Sequence, residues 1–166
     1  MGYREGGARV RITLLAVGRA KAGPAQALYE EYAKRLDWPL ALVEVEERRK
    51  LSPAELKERE GALIAAALDE IRRRSRPLRV VALDEHGEAL SSLAFARRLG
   101  RWQDEGCDIA FIIGGAEGLA ESVTGAAQMV LSLGAMTWPH MLVRGLLAEQ
   151  LYRGQQILSN HPYHRR

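Results

Sequence analysis

The last 27 residues of the chain hold most of the side chains that could move a proton or stabilise an anion. His140, Arg144, Tyr152, Arg153, His161, Tyr163, His164, Arg165 and Arg166 all fall there, including three of the four histidines. Imidazole titrates near neutrality, and a phenol or guanidinium beside it can hold a developing negative charge. This set could therefore remove a proton from a weakly acidic N–H and stabilise what remains. His140 and Arg144 are four residues apart, which places them on one face of a helix. The same spacing makes Glu149 and Arg153 an ordinary ion pair. Segment 140–166 carries four arginines against one acid, which equals the net charge of +3 of the whole chain. A neutral body with a basic end points to a localised anionic partner, of which nucleic acid is the commonest, or else to a solvated tail kept basic for solubility.

Three glycine-containing stretches follow apolar runs and could hold a small molecule. They are "ALDEHGE" after Leu83, "IIGGAEG" around Gly114, and "LSLGAMTWPH" from Leu131 to His140. Glycine lets a ligand approach the main chain closely. A phosphate cradle needs GxxxxGK[ST] and a dinucleotide fold needs GxGxxG after its first strand, and neither "GGAEGLAES" nor "AVGRAKAG" satisfies them. Loops with bare backbone and an apolar wall at Leu83 suit an adenosine held by its base edges. Cys107 is the only cysteine, and no His/Cys cluster has metal-ligand spacing, so no metal is expected. No segment resembles a signal peptide or a membrane span, so a cytoplasmic protein without a membrane partner is expected.

Positioning these loops requires strands that end where they begin. The pattern predicts strands at 9–18, 40–45, 79–84, 107–115 and 129–133, alternating with helices at 24–36, from Ser52 to the Arg72–Arg74 cluster, at 91–103, 121–127 and 140–158. "SPAE" supplies Ser52 as cap, Pro53 at the first helical position and Glu55 at the third, a capping box. The alternation predicts an α/β fold, a mostly parallel sheet covered by helices on both faces. Ligands of such sheets sit beyond the carboxyl ends of the strands, which would cluster the three loops if their strands are neighbours. A single domain over 9–166 is expected, with 1–8 a disordered extension. The final helix has apolar residues at Met141, Leu142, Leu146, Leu151 and Leu158, more than one stripe needs, so a second copy of the chain is its expected neighbour.

Taken in order, "LAVG", "IIGGAEG", "SLGAMTWPHMLVR", "EQLYRG" and "NHPYH" resemble the RlmH family of SPOUT-class RNA methyltransferases, over essentially the whole chain from Val10. The resemblance implies a SPOUT-type α/β fold with a C-terminal trefoil knot, an exception to the rule against threaded chains. It implies S-adenosyl-L-methionine as cofactor, a homodimer, and methylation of N3 of a pseudouridine in large-subunit ribosomal RNA, within the subunit or the assembled ribosome. Carried over by position, it puts cofactor contacts at Leu83, Gly114, Leu133, Gly134, Ala135, Met136, Thr137 and Trp138. Catalysis is expected from Arg144, Tyr163 and His164, and RNA binding from His140, Arg144, Tyr152, Arg153, His161, Arg165 and Arg166. The family often has Gly-Lys where this chain has Gly87-Glu88, and Ser where it has Gly134. Alternatives are methylation of another RNA by the same class of enzyme, or a non-enzymatic ribosome-binding or assembly factor.

Overall fold

The computed structural model describes residues 9–160. The expected extension 1–8 and the tail residues His161, Tyr163, His164, Arg165 and Arg166 lie outside the described residues. Ten elements alternate along the chain: β1 (Ile12–Val17), α1 (Pro24–Ala33), β2 (Leu40–Val45), α2 (Pro53–Arg74), β3 (Leu78–Ala89), α3 (Ser92–Asp104), β4 (Asp108–Ile113), α4 (Glu121–Ala126), β5 (Met129–Ser132) and α5 (His140–Leu158). The strands form one parallel sheet in the order β2-β1-β4-β3-β5, so β4, β3 and β5 are neighbours and their following loops share an edge.

Side chains alternate along each strand, and the sheet has a core on each face. On one face Leu14 and Ala16 of β1, Ile109 and Phe111 of β4, and Val81 of β3 pack against Tyr29 of α1, Phe95 and Leu99 of α3, and Leu147 and Leu151 of α5. On the other, Leu15, Ala110, Ile112, Val80 and Ala82 meet Ile64 and Leu68 of α2 and Val123 of α4. Two-sided burial explains why β4 is apolar from Ile109 to Ile113 without interruption.

Local chemistry sets the boundaries. The Ser52 hydroxyl accepts from Glu55 N while the Glu55 carboxylate accepts from Ser52 N, closing the capping box at the start of α2. Arg72, Arg73 and Arg74 at its end pair with Asp69 and Glu70 on an exposed face. At the amino ends of the strands Asp108, 2% exposed, accepts from both Arg11 and Arg76 and from their backbone N–H groups. β3 differs most from the sequence pattern. It continues past Leu83 to Ala89, and after a shift in register Glu88 and Ala89 pair with Leu131 and Ser132 of β5. Gly87 permits this, because a Cβ there would lie 2.7 Å from the backbone of Val130.

Candidate active site

A cavity of about 710 Å³ opens at the carboxyl ends of β3, β4 and β5. Of the expected cofactor contacts, Leu83, Gly114, Leu133, Met136, Thr137 and Trp138 line it, together with His140 at the start of α5. Gly134 and Ala135 sit in the same loop but are not among the lining residues. A smaller cavity of about 400 Å³, between α3 and α5, shares Leu133 and Trp138 but lacks the glycine loops. The larger one is lined by the glycine loop after β4 and by His140.

Hydrogen bonds fix two of its walls, the β3 extension and the loop after β5, to each other. The Ser132 hydroxyl shares its one proton between Glu85 O, 3.1 Å away, and Gly134 O, 2.9 Å away, and it accepts from Gly134 N. Thr137 Oγ1 donates to Glu85 Oε2 at 2.6 Å. The loop after β5 is thus tied twice to the extension of β3. Gly134 has φ +121°, a conformation that a serine at this position would strain to adopt. At the β4 wall a Cβ on Gly114 would fall 3.0 Å from the carbonyl carbon of Gly118 and 3.1 Å from Leu119, so only glycine leaves this turn as tight as it is.

Behind that turn Glu60 of α2 is buried, and its Oε2 has no hydrogen-bond partner among the described residues. Burial first, and then the charge of Glu117, push its carboxyl above the ordinary carboxylate range. A Cβ at Gly115 would come within 3.2 Å of both Glu60 oxygens, so this carboxyl packs directly beneath the cavity floor. Burial also lowers the pKa of His140, with the Arg144 charge adding to the effect, so its imidazole is neutral at pH 7 and free to accept a proton.

Arg144, expected to act in catalysis and RNA binding, is enclosed in the fold. Its side chain is 1% exposed, and its guanidinium donates to Glu44 Oε1 at 2.5 Å and to Gly18 O at 2.8 Å. Glu44 in turn accepts from Ala20 N. A guanidinium enclosed in this way, among residues of β1 and β2, has no exposed edge for RNA or for a reacting base; it anchors the loop after β1. Gly18 in that loop lies against α5, where a Cβ would meet Met141 Cε at 3.2 Å and His140 Nε2 at 3.8 Å. Arg153 pairs with Glu149 at 2.5 Å, and Tyr152 packs on Tyr32, with Arg35 over both rings. Both are part-buried along α5, away from the cavity lining. The residues missed by sequence reasoning are Ser132, Glu60 and Lys57, the last a cavity-lining residue from α2. For Ser132 a signal existed, a short polar side chain two residues before a glycine; for the other two there was none.

Among the described residues no group of three or more His, Cys, Asp or Glu could hold a metal, and no helix is long and apolar enough to cross a membrane.

Comparison with known proteins agrees with this geometry. Residues 10–164 match the family model described as "Predicted SPOUT methyltransferase". The chain is 57% identical over 157 residues to the ribosomal RNA large subunit methyltransferase H of Rhodospirillum centenum, covering 94% of this chain and 99% of that one. It is 52% identical, with the same coverage, to the protein of that name from Paramagnetospirillum magneticum. Among solved structures, the SpoU methyltransferase AviRb of Streptomyces viridochromogenes, crystallised with AdoMet, aligns with a TM-score of 0.52 at 15% identity, covering 90% of this chain and 59% of that one. An RNA 2'-O ribose methyltransferase aligns with the same TM-score at 21% identity, over 93% and 60%. The likeness to these structures is one of fold, whereas the family match and the close relatives span nearly the whole sequence, and the chain belongs to the SPOUT methyltransferase family.

Proposed function

We propose that this protein transfers the methyl group of S-adenosylmethionine to N3 of a pseudouridine in large-subunit ribosomal RNA, acting on ribosomes in the cytoplasm. The observation that carries the reading is the glycine-walled cavity at the carboxyl ends of β3, β4 and β5, in a chain 57% identical to a named ribosomal RNA large subunit methyltransferase. The residues present fit the cofactor. Bare backbone at Gly114 and apolar walls at Leu83, Leu133 and Val143 suit adenosine, Asp84, Glu85 and Glu117 suit its cationic groups, and Lys57 suits its carboxylate.

When bound, S-adenosylmethionine supplies a methyl group already activated by its sulfonium. The chain must therefore align the nucleophile and take its proton. Pseudouridine N3 is an imide nitrogen that attacks poorly until deprotonated, so a base is the protein's chemical contribution. Tyr163 and His164 are the proposed tail residues for this step. His140, neutral and on the cavity wall, is the described imidazole nearest to it in role. Trp138, 42% exposed, and Met136, 73% exposed, present apolar surface at the mouth, suited to stacking on an unstacked base.

Two further features belong to the same proposal. A homodimer is supported by the apolar residues α5 leaves unburied, Leu158 among them at 40% exposure, and by the need for more cationic charge than one basic end provides. A trefoil knot is supported by membership of the SPOUT methyltransferase family. Mass mapping of ribosomal RNA from a strain lacking the gene tests the activity. One pseudouridine of the large-subunit RNA should lose a methyl group and regain it when the gene is returned; an unchanged map would overturn the assignment.

A further inference from the structure

The carboxyl edge of the sheet is electrically asymmetric. At the β2 and β1 end the following loops carry Arg19, Lys21, Arg48, Arg49 and Lys50, all exposed, against Glu46 and Glu47, a surplus of three positive charges. Past β4, the β3 extension carries Asp84, Glu85 and Glu88 with no lysine or arginine, so it is negative by three when His86 is neutral. The two basic loops are joined: Gly18 N donates to Val45 O at 2.8 Å, and Arg19 lies 3.7 Å from Glu46. The first of them is held beside His140 by the buried Arg144–Glu44 pair.

Within this patch the arginines and lysines differ. Arg19 and Arg48 face Glu46, and Arg49 faces Glu47. Lys21 and Lys50 have no ion pair among the described residues, and neither does Lys57, which lines the cavity. Of the four lysines of the chain only Lys34, at the far end of α1, is paired, with Glu31. Three ammonium groups without an ion pair among the described residues thus lie in the loops after β1 and β2 and near the start of α2.

We infer that the loops after β1 and β2 form a ledge for the RNA backbone, with Lys21 and Lys50 each binding a phosphate of the strand that flanks the target nucleotide. The inference rests on the proposed RNA substrate and adds a direction to it. The RNA enters across the β2 and β1 end and leaves the β3 extension uncovered, because phosphates there would meet Asp84, Glu85 and Glu88. The strand thereby reaches the mouth of the cavity at His140, where Gly18 and α5 touch.

The test is the double variant Lys21→Gln with Lys50→Gln, compared with Lys34→Gln and with Lys21→Arg plus Lys50→Arg. Binding of purified ribosomes is titrated over roughly 50–200 mM salt, and the slope of log affinity against log salt should fall by about 0.7 to 0.9 for each lysine removed. Lys34→Gln and the double arginine variant should keep the wild-type slope. Affinity for S-adenosylmethionine, measured on the same preparations, should be unchanged and certifies the fold. A double glutamine variant with normal cofactor affinity and the wild-type slope would overturn the ledge. Should the wild type bind ribosomes but leave ribosomal RNA unmethylated, the proposed function fails, while the slope comparison still decides the ledge.

Discussion

Arg144 shows how a residue with the right chemistry can be placed for another task. Sequence spacing puts it one helical turn after His140, which lines the cavity. Its partner Glu44 lies 100 residues earlier, on β2, and only the fold brings the two together. A guanidinium buried to this degree has its two terminal nitrogens served by a carboxylate and two carbonyl oxygens while Nε has no partner among the described residues, and removing it strands the groups it served. Arg144→Met should therefore lower stability to denaturant by about 3–5 kcal/mol, the usual loss for breaking a buried pair. The salt dependence of ribosome binding should stay that of the wild type. A catalytic or RNA-binding arginine gives the opposite pattern, with unchanged stability and either a loss of rate or a smaller salt slope. Equilibrium unfolding and ribosome titration on one preparation distinguish the two. That Leu83, Gly114 and the 133–138 loop lie at neighbouring strand ends was legible from sequence, because a strand end followed by glycine is a local pattern. The burial of Arg144 and the orphaned Glu60 carboxyl were not, because both depend on contacts made across the sheet.

At the scale of elements, helix boundaries followed local rules. The observed α2 starts at the Pro53 that Ser52 and Glu55 mark, and α5 runs over His140–Leu158 as its pattern suggests. The extension of β3 was not legible, since Gly87 reads as a turn until Val130 is seen pressed against it. Nor was the role of Asp108, which joins β1, the start of β3 and β4 through Arg11 and Arg76. Burial alone would raise the Asp108 carboxyl, but the two guanidinium groups and two backbone N–H groups outweigh it and hold the pKa at about 2, against an ordinary 3.8. A carboxyl with a depressed folded pKa contributes stability above its unfolded pKa and loses it as pH falls through the folded one. This clamp should hence weaken between about pH 4 and pH 2. Asp108→Asn should be less stable than the wild type by about 2 kcal/mol at pH 7, a gap that closes toward pH 2. Urea unfolding across that range measures it, and a gap independent of pH would assign the loss to packing rather than to charge.

The whole molecule divides its work between the two edges of the sheet. The amino edge carries the Asp108 clamp, and the carboxyl edge carries the cavity, the basic loops and the acidic extension. A parallel sheet makes this division possible, because every strand ends on the same side. The central claim is that the cavity at that edge holds S-adenosylmethionine. Its most direct test is isothermal titration of the cofactor into the wild type and into Gly114→Val. The branched side chain adds atoms beyond a Cβ that would already touch Gly118 and Leu119, so the cavity floor cannot keep its shape. The wild type should give a saturable heat with one site per chain. Gly114→Val, still folded by circular dichroism, should bind at least ~100-fold more weakly, a loss of about 2.7 kcal/mol. Equal affinity in the two proteins would contradict the account, and so would a wild type that shows no heat.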